Sequence, residues 1–142
     1  MCLISKYRFP KKAKADITCY KVLEIGRNSE DTQIYYTPFM DTPVHVPGIL
    51  KAKGSSIRFG IFDSYEVGKG YIHAYHYEHT AKVSSSIYDF RNLNNVVVEC
   101  TIPKGTKYHI NESGIEICAK KMIINKIVYI HINEELGEEY IK

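Results

Sequence analysis

The sequence predicts an α+β fold: a single β-rich domain, mostly antiparallel sheets with one main helix. Three observations lead there. Short runs rich in β-branched and aromatic residues recur between Gly, Pro and Asn clusters. One segment only, in the middle of the chain, has apolar residues at helical spacing. The whole is 142 residues, a length suited to one ordinary domain, with 44% hydrophobic and 25% charged residues.

Ile17 to Ile25 opens the body as a strand and stops at Gly26. A polar turn follows, then a short Gln33–Thr37 strand closed by Pro38. The stretch from Pro38 to Gly54 holds Pro43, Pro47 and Gly48 and is expected to be a long irregular excursion. Ile57 to Phe62 reads as another short strand. Gly68-Lys69-Gly70 turns the chain into the strand Tyr71 to Tyr75. The helix is expected over His79–Asn92, starting at His79 or Thr80, with Val83, Ile87 and Phe90 as its apolar stripe.

Val96 to Ile102 is the clearest strand, stopped by Pro103-Lys104-Gly105. Alternation puts Val96, Val98, Cys100 and Ile102 on the core face and Val97, Glu99 and Thr101 on the other. Thr106 to Ile110 continues extended, and Asn111 to Gly114 is a turn. The last strand region, Lys121 to Ile132, is expected to put Met122, Ile124, Val128, Ile130 and Ile132 on one side, with Asn125, Tyr129 and His131 on the other.

The domain proper is expected over residues 16–133. Residues 1–15 are a basic leader carrying Lys6, Arg8, Lys11, Lys12 and Lys14, and residues 134–142 an acidic tail carrying Glu134, Glu135, Glu138 and Glu139. The two ends are either solvated or pair with each other, within a subunit or across a homo-oligomer. Tyr7 and Phe9 among the bases have the makings of a single-strand nucleic-acid grip. No basic run extends it downstream, and the net charge is only +3, so nucleic acid is not the expected partner. No apolar run approaches the roughly 18 residues of a spanning helix, and the N-terminal apolar stretch is too short for a signal peptide. A cytoplasmic protein with reduced thiols at Cys2, Cys19, Cys100 and Cys118 is expected, because these lack paired metal-ligand spacing.

His73, His76 and His79 recur every third residue, but a strand turning into a helix cannot converge their nitrogens, so no metal site is expected. Glu99, in the middle of the strongest strand and off the core face, is the candidate functional carboxylate: exposed, or lining a cleft where it could act as a base or hold a sugar hydroxyl. Tyr71 and Tyr75 on the preceding strand, and Tyr77 and Tyr88 with ten residues between them, could stack on a flat heteroaromatic ring. A tyrosine-rich core is the plainer explanation of the same spacing.

Three pieces stand in a telling order: Cys19-Tyr20-Lys21-Val22, then Gly70-Tyr71-Ile72-His73-Ala74-Tyr75 running into the helix, then Glu99-Cys100-Thr101-Ile102-Pro103-Lys104-Gly105-Thr106. Over residues 17–110 this resembles the ADP-ribosyltransferase-like fold. Many transferases of that group carry a carboxylate four residues before a Pro-x-Gly-Thr turn, where Glu99 stands. The Gly70–Tyr75 element resembles the group's nicotinamide-stacking segment, and a small family with a Tyr-Lys-Ile opening and a Gly-Phe-Ile-His strand is similar too. Over nearly its full length, the chain resembles short uncharacterised proteins of gut bacteria and their phages, which share the Met-Cys-Leu-Ile-Ser start and the Ile-Pro-Lys-Gly-Thr-Lys-Tyr segment.

The transferase resemblance implies NAD as cofactor, Glu99 as the catalytic carboxylate, and Tyr75, Tyr77 or Tyr88 stacking the nicotinamide. His73 or Lys21 would stand in for an anchor. Active members place Arg or His on the first strand, where this chain has Tyr20 and Lys21. They also have a Ser-Thr-Ser signature that is absent here, and a second carboxylate or glutamine where this chain has Val97. The expected function is therefore a non-enzymatic accessory protein of phage or mobile-element type. It would bind a nucleotide-like small molecule or a host protein through an aromatic cleft lined by Tyr20, Lys21, His73, Tyr75, Tyr77 and Tyr88. A mono-ADP-ribosyltransferase or other NAD-consuming enzyme, and a structural or assembly protein, are the alternatives.

Overall fold

The computed structural model describes residues 3–5, 9–27, 30, 33–37, 43–52, 57–59, 65–67, 70–87 and 94–132. In chain order its elements begin with β1 (Leu3–Ser5), β2 (Lys11–Lys12), β3 (Ile17–Arg27), β4 (Gln33–Tyr36), β5 (Pro43–Val44), β6 (Gly48–Lys51), β7 (Ile57–Phe59), β8 (Tyr65–Val67) and β9 (Ile72–Tyr75). The helix α1 (Glu78–Ile87) follows, then β10 (Asn95–Ile102), β11 (Lys107–Ile110), β12 (Glu116–Ala119) and β13 (Lys121–His131). Every described strand pairing is antiparallel, and α1 is the single helix among the described residues, so this is a β-rich α+β domain.

The main sheet runs β2-β11-β12-β9-β3-β10-β13-β6, with β4 added to β3 and β5 to β4. It curls around one core. Ala13, Ile117 and Ala119 from one end of the order share a cluster with Met122 and Ile124 from the other, together with Cys19, Leu23, Ile25, Val96, Val98, Cys100 and Ile102 from the middle. Only Lys120 separates β12 from β13, so the chain turns a corner there; its N–H donates to the Lys107 carbonyl and its carbonyl accepts from the Ala52 N–H. A smaller sheet, β1-β8-β7, lies apart from this order. Leu3 of β1 packs with Tyr71 and Cys118 on the other face.

That other face is covered in its middle by α1, where Ala81 packs on Val22, Tyr75 and Val97. The helix docks through small residues: Ala81 and Ser85, four apart, are fully buried, whereas Val83 is 45% exposed. The expected stripe of Val83, Ile87 and Phe90 is therefore corrected at Val83; Phe90 lies outside the described residues. A strand packed on both faces leaves room for alanine and serine against it, and the larger Val83 turns outward. The serine run is tolerated because Ser85 and Ser86 donate to the carbonyls three residues back, at 2.6 and 2.8 Å. Asn95 Nδ2 donates to the Ser85 carbonyl at 2.8 Å and pins the helix end to β10.

Several other expectations change in detail. The Pro38–Gly54 stretch is not wholly irregular: β5 and β6 form within it and pair with β4 and β13. The helix starts at Glu78, not at His79 or Thr80. Val97 is as buried as Val98, because α1 covers its face; a run of three valines is what a strand buried on both sides requires.

The side assignment of β13 is overturned at Val128. Register shifts between Val97 and Val98 and between Glu99 and Cys100 mark two bulges, which leave Val128 and Asn125 without an opposite residue. Each bulge reverses the alternation, so Val128 packs with the helix-side cluster while Ile127 packs on the main core. Residues from the basic N-terminal segment enter the sheets: β1 pairs with β8, β2 with β11, and Ala13 is buried. The acidic segment 134–142 lies outside the described residues.

Candidate functional site

The register of five strands composes the site. Lys126 of β13 stands opposite Glu99 of β10, Glu99 opposite Tyr20 of β3, Tyr20 opposite Tyr75 of β9, and Tyr75 opposite Glu116 of β12. Directly opposed residues in antiparallel strands share a face. These five side chains therefore form one row across the sheet, on the face that carries α1. Beyond the row, away from the helix-covered valines, lie Thr18 and Thr101, also opposite each other. Asn125, on the bulge, donates from Nδ2 to Thr101 Oγ1 at 2.9 Å.

The start of α1 borders the row. Tyr20 feels the carboxylates of Glu78 and Glu99; burial first, then these two charges, raise its pKa above the ordinary tyrosine value. Its phenol is thus held as a neutral donor. Glu99 and Tyr20 are half-buried, Tyr75 is buried and Lys126 is exposed. Glu78 pairs with Lys82 one turn on at 3.6 Å, and the Lys82 ammonium lies 5.5 Å from the centroid of the Tyr129 ring. At the far end, Glu116 Oε2 accepts from Asn111 Nδ2 at 3.4 Å. Carboxylates, the Tyr20 phenol and an ammonium thus face one strip of surface, with Tyr75 buried beneath the helix beside them, a set suited to hydroxyls and a flat ring.

Of the residues singled out in the sequence, the fold brings Glu99, Tyr20 and Tyr75 together. Lys21 is not with them. It lies between Tyr20 and Val22, both packed on the helix side, so alternation sends it to the face of Cys19 and Leu23. The paired register of β3 and β9 consists of Tyr20 and Tyr75 alone, and Lys21 Nζ donates at 2.6 Å to the carbonyl of His73, two residues before Tyr75 on β9. Burial pushes its pKa below the usual lysine value.

His73 shares the face of Tyr75 but stands one rung away, opposite Cys118. Tyr77 is 52% exposed, with its ring tilted on His76 at 4.8 Å, and His76 Nδ1 lies 3.0 Å from the Gly114 carbonyl. Tyr88 lies outside the described residues. His73, His76 and His79 are spread along β9, its exit and α1; among the described residues no group of three His, Cys, Asp or Glu side chains could hold a metal ion.

Sequence reasoning missed Glu78, Glu116, Lys126 and Tyr129. The signal for Glu78 was present, since an acid in the first turn of a helix is a favourable start. Lys126 and Glu116 had none, because their places depend on a bulge and on a strand that the sequence did not announce.

Cys19, Cys100 and Cys118 are free, buried thiols. Cys19 faces Cys100 across β3 and β10, and its sulfur lies 4.0 Å from Met122 Sδ. The hydrogen bond with the Cys100 thiol, then burial, raises the Cys19 pKa, so it stays protonated. No described helix is long and apolar enough to cross a membrane. In comparisons with known proteins, no family model, curated protein or solved structure matches this chain.

Proposed function

We propose that this protein is a non-enzymatic binding module that holds a nucleotide-like small molecule on the row formed by Lys126, Glu99, Tyr20, Tyr75 and Glu116. One observation carries the reading: five strands put two carboxylates, two phenols and an ammonium in line beside the start of α1. Carboxylates such as Glu99 and Glu78 accept from the hydroxyls of a ribose, and the neutral Tyr20 phenol donates while its half-buried ring offers apolar surface to a base. The resemblance to the ADP-ribosyltransferase-like fold supports a nucleotide of the NAD type, and the resemblance to short phage proteins supports an accessory role. Lys21 supports binding over catalysis. This cation, next to Tyr20 in sequence and the expected stand-in for an anchor, is turned to the other face and engaged with a backbone carbonyl.

Titration calorimetry with NAD, ADP-ribose and AMP tests this, on wild type beside Glu99→Gln and Tyr20→Phe. At least one ligand is expected to bind with a dissociation constant on the order of 10 µM. Either substitution should weaken it roughly tenfold, the scale of a hydrogen bond to a charged group. Absence of heat with all three ligands sinks the reading. Release of nicotinamide from NAD by wild type but not by Glu99→Gln, followed by mass spectrometry, replaces it with the transferase alternative.

A further inference from the structure

We propose that the outer surface of β2 and β11 binds single-stranded nucleic acid. In the sequence, the lysines of residues 11–14 belong to the basic N-terminal segment, and Lys104 and Lys107 are some ninety positions away. The fold puts them side by side. Lys12 is directly opposite Lys107, and the ladder continues as the Ala13 N–H donates to the Thr106 carbonyl and the Gly105 N–H to the Ala13 carbonyl. Lys14 therefore lies against the Pro103–Thr106 turn that carries Lys104. Ala13 points into the core, so Lys12 and Lys14 on either side of it point outward together with Lys107. All of Lys11, Lys12, Lys14, Lys104 and Lys107 are exposed.

Like charges directly opposite across a strand pair are destabilising. Lysine on a terminal strand such as β2 does protect against edge pairing. That role needs no second lysine facing it on β11. The one acid in the segment, Asp16, spends an oxygen on the Lys104 N–H at 2.8 Å. Lys120 is not part of the patch: its ammonium donates to the Gly70 carbonyl and sits 4.2 Å from the centroid of the Tyr71 ring.

The arrangement selects the ligand. Lys12 and Lys107 stand side by side across the strand pair and Lys14 lies against the adjoining turn, so the lysines can meet neighbouring phosphates of an extended single strand. Phe9, 72% exposed just before β2, gives a base a face to stack on. A folded acidic protein needs no such aromatic face, and a duplex has its bases already stacked. This surface is distinct from the row beside α1, and its behaviour does not depend on that reading.

Fluorescence anisotropy of a labelled twenty-nucleotide oligothymidylate tests the proposal. At about 50 mM salt, binding in the range of roughly 1–100 µM is expected, with log affinity falling against log salt by about 0.7 per phosphate engaged. Lys12→Glu/Lys107→Glu should cut affinity at least tenfold and flatten the salt slope. Lys12→Arg/Lys107→Arg should retain both. Phe9→Ala should weaken binding roughly tenfold with the slope unchanged. Circular dichroism on the charge-reversed protein guards against misfolding, and Lys12→Gln/Lys107→Gln replaces it if it does not fold. Three outcomes would each overturn the proposal: no binding up to about 100 µM protein, equal binding by the Lys12→Glu/Lys107→Glu variant, or displacement of the oligonucleotide by polyglutamate as readily as by unlabelled oligothymidylate.

Discussion

The two faces of β3 and β10 are built from the same alternating strands, yet they have become different surfaces. On one face Cys19, Leu23 and Ile25 meet Val96, Val98, Cys100 and Ile102 in an apolar core enclosed by the curl of the sheet, and Lys21 among them is tied to the His73 carbonyl. On the other, Val22 and Val97 are sealed under α1, and one rung further along Tyr20 and Glu99 stand beyond it. A ten-residue helix cannot cover an eight-residue strand and its neighbours to their ends. Where it stops, the strand changes from valine to glutamate and threonine. The contrast teaches that this sheet was closed by curvature on one side and only partly lidded on the other, which is how a polar row survives in the middle of a β domain.

The largest effect that would probe this contrast is on the enclosed face. Leu23→Ala, at a fully buried position, should destabilise the protein by about 2–5 kcal/mol, read from urea unfolding followed by circular dichroism. A loss below about 1 kcal/mol would mean that this core is loosely packed.

A second test addresses the far patch of the lidded face, where His109 is buried, with Nδ1 3.4 Å from Ser5 Oγ and its ring edge-on to Tyr71 at 5.2 Å. Burial, with help from the Lys120 charge, pushes its pKa down to about 4. The unfolded chain then takes up a proton at this site near pH 6.5 and the folded one does not. The stabilisation is therefore complete above pH 6.5 and is lost as pH falls toward 4, by up to about 3 kcal/mol. Thermal melts across that window should show the decline, and His109→Gln should flatten it.

The smallest effect tests how closely α1 sits. Ala81→Leu forces extra volume between helix and sheet and should cost about 1–3 kcal/mol, visible as a lowered midpoint in the same urea titration. The same change at exposed Val83 should stay within about 0.5 kcal/mol.

Much of the fold was legible in the chain. The strands at Ile17, Val96 and Lys121 and the turns at Pro103–Thr106 and Asn111–Gly114 are written in β-branched runs and turn residues. In the first of these turns the Thr106 N–H donates to the Pro103 carbonyl, and Gly105 takes a positive φ of 87°. The site was only partly legible. Glu99 and Tyr75 stand out from their strands and Tyr20 through the family resemblance, but the row they form does not. β12, which brings Glu116 to the row and Cys118 beside His73, followed a turn with no alternation strong enough to mark it. The bulges that turn Val128 inward and set Lys126 opposite Glu99 leave no local trace, because an unpaired residue in one strand is defined by the strand beside it.

The sequence by itself determined what is local: which stretches extend, where they turn, and that Glu99 sits off the core face of its strand. Those follow from backbone preferences and a two-residue period that each segment carries alone. Only the tertiary structure decided which residues became neighbours: the row from Lys126 to Glu116, the withdrawal of Lys21 to the His73 carbonyl, and the meeting of Lys12 with Lys107. Register between strands far apart in the chain is set by how a curled sheet buries its apolar face and satisfies its backbone groups, a condition that no single segment contains.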